Sequence, residues 1–409
     1  MNSKERALRA FNHEEPDRVP LEGIAWGEWS YPFLEKVLLP HFRLEKVAGS
    51  VIGFTEELDL LARMLGIDFR AVSSDPPTDF QRRAVSDPLF HNPWGVRVAP
   101  DTLEDEWGIQ RQLNATRTQS RIVKHPLKGV NSLDEYTFPD AEAPGRFDTS
   151  KKLVKTWRDE YAISAIWGGD GFFSQAWYLR GFEAMILDMQ SNPSFVDRLL
   201  DELLRFYVSI GMRFAEMGAD ILCIADDVAM QTGLIISPRL WRRYVKPRML
   251  RLVSAVKQKG MYVIFHSDGN LEPLIPDLIE IGIDALNPVQ PECMNPVKIK
   301  ELYGDKLCLS GTISMQETLP FGTVEDVRNE VEERIATCGA GGGLIISPSN
   351  QATIDVKLEN FVAVYETAKK FGRYPTTQPQ PAPSQASING IPTRHTLRRH
   401  EGDEVESHG

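Results

Sequence analysis

Residues 261–270 read "MYVIFHSDGN": an apolar run ends on His266 and Asp268. In extended backbone, residues two apart share a side, so this imidazole and carboxylate face one point. A neutral imidazole beside a carboxylate can share a proton or bind a cation. The bland alternative is that Asp268 caps the next helix while His266 bonds locally. Other apolar runs end in the same way. "GIDFRAV" carries Asp68, and "DILCIA" is followed by Asp226 and Asp227. "DALNPVQ" carries Asn287 and Gln290, "LCLSGT" Ser310 and Thr312, and "GLIISPSNQ" Ser349, Asn350 and Gln351. Adjacent strand residues face opposite ways, so only one of Asp226 and Asp227 can point inward, and Asp226 is taken as that one. Trp26 closes the first run, "VPLEGIAW". On this reading His266, Asp268, Asp226 and Asp68 carry acid–base chemistry. Trp26, Asn287, Gln290 and Asn350 contact substrate, and a divalent ion would sit on His266 and Asp268.

The elements that must position these residues repeat. Short apolar runs at 19–26, 66–72, 162–167, 220–225, 262–266, 284–289, 307–311 and 343–347 alternate with helical periodicity. The stretch 194–218 ends on Gly218, and 237–260 opens on Ser237–Pro238 and closes on Gly260, in keeping with helix caps. Strand then helix, repeated, implies parallel strands with helical crossovers. Eight strands close a (β/α)8 TIM barrel, whose chemistry gathers at the C-terminal strand ends; an open doubly wound sheet is the alternative. The expected barrel spans 1–373 with an N-terminal extension. Residues 73–160 interrupt the rhythm between the second and third strands and read as a β-hairpin insertion. Its Trp94 and Trp107 either lid the site or pack the insertion down. "GAGGG" at 339–343 lacks the lysine and following helix of a phosphate loop and reads as a turn. Residues 374–409, rich in Pro, Gln and Ser and then in mixed charge, read as a disordered tail that includes His395, His400 and His408.

Composition bounds the function. The chain has 409 residues, 42% hydrophobic and 25% charged, an ordinary globular balance. A formal charge of −11 argues against a nucleic-acid backbone as partner. No apolar run approaches the roughly 18–20 residues of a membrane span, and the charged N-terminus has no secretory core. The four cysteines show no CxxC pairing, and Cys223 and Cys308, inside apolar runs, read as reduced core thiols. A cytoplasmic protein acting on small molecules is the expectation.

Several longer stretches then form a pattern: "KERALRAFNHEEPDRVP", "FFSQAWYLRGFEAMILDM", "GADILCIADDVAMQTGLIISPRLWRRYVKPRMLRLVSAVK", "VIFHSDGNLEPLIPDLIEIGIDALNPVQ" and "YGDKLCLSGTISMQETLPFGTVEDVRNEVEERI". Their order resembles the uroporphyrinogen decarboxylase superfamily over residues 3–372, which implies a (β/α)8 barrel. In that likeness Asp68 resembles the decarboxylases' catalytic Asp and Tyr178 their Tyr. Asn350 stands where they carry a late His. Their arginine-rich segment is replaced by "EGIAWGEWSYPF", which has no arginine to hold a polycarboxylate. The methyltransferase branch binds zinc through a His-x-Cys and a late Cys. His266 matches its His, Asp268 replaces the first Cys, and the late Cys falls near Ser349–Asn350. The resemblance therefore implies methyl transfer between a small methylated substrate and a corrinoid on a partner protein, of the O-demethylase type. Zinc or another divalent ion would be held by oxygen and nitrogen. Tetrapyrrole decarboxylation is the first alternative, and a non-catalytic tetrapyrrole- or partner-binding barrel the second.

Overall fold

The computed structural model describes residues 1–23, 30–44, 56–166 and 171–375. Trp26, Asp170 and the tail beyond Pro375 lie outside the described residues.

Six parallel strands form one sheet in sequence order: β1 (Phe69–Ser73), β2 (Ala162–Ile166), β3 (Ile221–Ala225), β4 (Tyr262–His266), β5 (Ala285–Asn287) and β6 (Cys308–Leu309). Each coincides with one of the apolar runs. Two further segments complete the ring. Leu344 bridges Leu309 in parallel, and Leu21 bridges Ile346 in parallel. The Asp68 N–H then donates to the Leu21 carbonyl at 2.8 Å, joining residues 19–22 to the start of β1. The eight apolar runs thus make a closed parallel barrel. Burial on both faces explains why they read as continuous apolar stretches rather than alternating ones.

One end of the barrel is plugged. Helix Ser3–Phe11 is capped by Asn2, whose side chain accepts from the Glu5 N–H. It buries Ala7, Ala10 and Phe11 against Phe69, Ala162, Ile221, Ile264, Ala285, Cys308 and Ile345. Phe69, Ala162, Ile221, Ala285 and Cys308 begin their strands, so the helix seals the N-terminal end and leaves the C-terminal end as the mouth. Each large apolar side chain so buried contributes about 1.5–3 kcal/mol.

The outer helices follow their sequence signals. Pro193–Met217 starts on proline and stops at Gly218, whose φ of 89° is the left-handed cap. The single helix expected over 237–260 is two, Pro238–Tyr244 and Lys246–Lys257. Pro247 cannot donate into a continuous ladder, which explains the break. None of the helices among the described residues is long and apolar enough to cross a membrane.

The insertion is larger than a hairpin. Val85–Ser86, Trp94–Ala99, Thr102–Glu104, Gln110–Leu113 and Ser120–Lys124 form a five-stranded antiparallel sheet in sequence order. Helix Asp148–Trp157, inside the expected insertion range, is instead the crossover into β2. Trp107 is buried and meets Phe206 of the long helix edge-on at 4.9 Å, so it fastens the insertion to the barrel.

Candidate active site

His266 is the last residue of β4 and pairs in register with Ala225 of β3 and Asn287 of β5. The residues after β3 and β4 therefore meet at the mouth. Asp227, His266 and Asp268 converge there, with one ligand atom from each lying within 4.8 Å of the others. The Asp268 N–H donates to Asp227 Oδ1 at 3.0 Å. Asn350 Nδ2 donates to Asp268 Oδ2 at 2.6 Å, while Asp268 Oδ1 is buried with no hydrogen-bond partner among the described residues. A buried carboxylate oxygen without a donor is costly, and a bound cation or a substrate proton would relieve it.

Asp268, Gln290, Met230, Met315 and Asn350 line a cavity of about 350 Å³ beside this cluster, a size suited to a small molecule. Gly269 shapes its wall. A Cβ there would lie 2.5 Å from the Met230 carbonyl, and the residue's φ is +91°. The Gly269 N–H donates to Gln290 Oε1 at 3.1 Å, which ties the turn after β4 to the segment after β5.

Three expected site residues sit differently from the sequence reading. Asp226 is fully buried and accepts from the N–H groups of Phe173 and Ser174 at 3.1 and 2.9 Å. It thus caps helix Phe172–Arg180, and its exposed neighbour Asp227 is the one that joins the cluster. Asp68 does not reach the mouth. It precedes β1 at the plugged end, where Arg6 Nη1 and Arg18 Nη1 donate to it at 2.8 Å each and the Leu21 N–H at 2.9 Å. Its part is to clamp the N-terminal extension to the barrel. Tyr178 lies on helix Phe172–Arg180 against the insertion. Among the described residues its ring meets Trp177 at 4.2 Å, His91 at 6.0 Å and the Arg111 guanidinium at 5.2 Å.

Glu22 was missed by sequence reasoning, although a lone carboxylate inside the apolar "VPLEGI" was the available signal. It reaches into the barrel, where Ser310 Oγ donates to Glu22 Oε2 at 2.7 Å. Burial pushes its carboxyl up from the ordinary range, opposed by that hydrogen bond and by the His266 imidazole. The barrel thiols are inert by the same physics: burial pushes Cys223 and Cys308 each up to about 12.

Residues 105–371 match the family model for uroporphyrinogen decarboxylase (URO-D). The chain belongs to the uroporphyrinogen decarboxylase family. The relatives of this URO-D family member differ in chemistry. It is 26% identical over 274 residues to the methylcobamide:CoM methyltransferase MtbA of Methanosarcina mazei, covering 64% of this chain and 78% of that protein. It is 21% identical over 373 residues to the uroporphyrinogen decarboxylase of Psychromonas ingrahamii, covering 87% of this chain and 94% of that one. Among solved structures, a methyltransferase from Methanosarcina mazei superposes with a TM-score of 0.66 at 18% identity, over 91% of this chain and 99% of its own. That likeness shows the fold, and the side chains at the mouth decide the chemistry.

Proposed function

We propose that this URO-D family member is a methyltransferase that moves a methyl group from a small methylated substrate to a corrinoid presented by a partner protein. The observation that carries the reading is the Asp227–His266–Asp268 cluster at the barrel mouth. In the forward reaction the donor X–CH3 gives its methyl to Co(I), the C–X bond breaks, and X leaves with the electron pair. A poor leaving group such as a phenolate or amine needs a proton or a Lewis acid at that moment. His266 stands at the mouth to deliver or hold that proton through Nε2. Asp227 and Asp268 bring two carboxylates to the same point as this imidazole. Gln290 and Asn350 place amides on the cavity wall, where they orient the donor.

The donor set also fits a divalent ion. Two carboxylates and an imidazole match a hard or borderline cation, and the unpartnered Asp268 Oδ1 is an open ligand position. When bound, such an ion would supply Lewis-acid stabilisation of the leaving atom. Elemental analysis of protein purified without chelator tests this part, with His266→Ala as the control. Near one equivalent in the wild type and under a tenth in the variant is the expected result. Offering aryl methyl ethers and methylated amines with cob(I)alamin tests the reaction itself. Methylcobalamin formation is the expected result. Carbon dioxide release from uroporphyrinogen, run in parallel, would replace methyl transfer by decarboxylation.

A further inference from the structure

Behind the cluster runs a chain of hydrogen bonds, buried in its middle and half-buried at His266 and Glu22. His266 Nδ1 faces Asn287 Oδ1 at 2.7 Å. Asn287 Nδ2 donates to Ser310 Oγ at 3.0 Å, and Ser310 Oγ donates to Glu22 Oε2 at 2.7 Å. Ser347 Oγ lies 3.2 Å from Ser310 Oγ and accepts the Gly311 N–H at 2.9 Å. Ser310 and Ser347 are fully buried and Asn287 nearly so. None of these groups sits on the cavity wall.

The direction of this chain has a chemical consequence. An amide oxygen accepts and cannot donate, so an Asn287 Oδ1 facing His266 requires the hydrogen on Nδ1. The neutral imidazole then carries its lone pair on Nε2. Reversal would require Asn287 to turn its Nδ2 toward His266 and its Oδ1 toward Ser310, and Ser310 would have to donate to Asn287. Ser310 has a better outlet in either state of Glu22. A carboxylate takes the Ser310 hydrogen directly. A protonated Glu22 would donate to Ser310, which passes its own hydrogen to Ser347. Ser310 is thereby kept as an acceptor toward Asn287.

We infer that Asn287 and Ser310, backed by Glu22 and Ser347, are positioning residues that hold His266 in the Nδ1–H tautomer and so turn a lone pair on Nε2 toward the barrel mouth. This inference rests on His266 being the working base or ligand of the proposed function, but its test requires no methyl transfer. A metal-ligating or basic imidazole depends on such a partner at its other nitrogen. An unconstrained histidine side chain favours the opposite, Nε2–H form.

The test is long-range ¹H–¹⁵N correlation on histidine-labelled protein, treated with chelator, at about pH 9 where imidazole is neutral. The His266 signals are identified by their loss in His266→Gln. The wild type is expected to show the Nδ1–H pattern. Ser310→Ala frees the Asn287 amide and is expected to shift the nitrogens toward Nε2–H. Glu22→Met with Ser347→Ala removes both outlets for the Ser310 hydrogen and is expected to reverse the chain to Nε2–H. Asn287→Asp in the Ser310→Ala background offers only acceptor oxygens and is expected to restore Nδ1–H, which a merely structural role for Ser310 would not produce. Circular dichroism confirms that each variant is folded. An Nε2–H pattern in the wild type would overturn the inference. So would the wild-type pattern persisting in both Ser310→Ala and the Glu22/Ser347 double variant.

Discussion

Asp68→Asn separates a structural clamp from a catalytic carboxylate. Asp68 is fully buried and takes charged donors from Arg6 and Arg18 and the Leu21 N–H. Removing one partner of a buried ion pair costs about 3–5 kcal/mol, because the other charge is left uncompensated. Here the loss is cushioned. Arg6 keeps Asp17 at 2.6 and 2.8 Å, and Arg18 keeps the Val19 and Gly66 carbonyls at 2.8 and 3.0 Å. The low end, about 3 kcal/mol, is therefore expected. At about 2–4 °C per kcal/mol, and toward the lower figure for a barrel this long, that is a drop of roughly 6 °C in Tm. Urea unfolding followed by tryptophan fluorescence measures the stability. Isothermal titration with a divalent ion measures the cluster at the mouth. Lower stability with cation affinity unchanged within about twofold is the expected outcome. Unchanged stability with lost site function would refute the reasoning and return Asp68 to the active site.

The other predictions concern packing, charge and the cluster. Trp107→Ala removes the edge-on contact with Phe206; it should cost about 3 kcal/mol in urea unfolding and leave cation affinity unchanged. The hydrogen bond from Arg242 holds the Asp277 carboxyl below its ordinary value, with Lys246 adding to it and partial burial opposing. A depressed pKa contributes stability that is present above the unfolded value and lost as pH falls through the folded one. Asp277→Asn should therefore lower the urea midpoint at pH near 7, and the difference from wild type should shrink as pH falls below about 4. Asp227→Asn should weaken divalent-cation binding at least tenfold, or about 1.4 kcal/mol. Asp226→Asn should instead lower stability, through the weakened cap on helix Phe172–Arg180.

The barrel was legible because its eight staves are short apolar runs between helices with clear caps, a pattern with few alternative folds. The sheet of the insertion was not: Pro100 and Gly108 mark turns, but Gly95, which also reads as a turn signal, lies inside strand Trp94–Ala99, and strand count needs register, which turns alone do not set. His266, Asp268, Asn287, Gln290 and Asn350 could be placed on one rim because each follows a run whose direction the βα order fixes. Asp226 and Asp227 could not be told apart, since one step along an extended chain reverses the face. Likeness to a family is no substitute for register, as Asp68 shows: a run's first residue and its last lie at opposite ends of the barrel. Glu22 was hidden because its hydrogen-bond partner, Ser310, lies 288 residues away.

Methyl transfer to cob(I)alamin, with wild-type protein and His266→Ala compared across aryl methyl ethers and methylated amines, decides whether His266 serves methyl transfer at the barrel mouth. The wild type is expected to form methylcobalamin, His266→Ala to fall by about 10²-fold or more, as for loss of a general acid–base group, and uroporphyrinogen to release no carbon dioxide. Wild-type rates retained by His266→Ala, or decarboxylation of uroporphyrinogen in place of methyl transfer, would contradict that role.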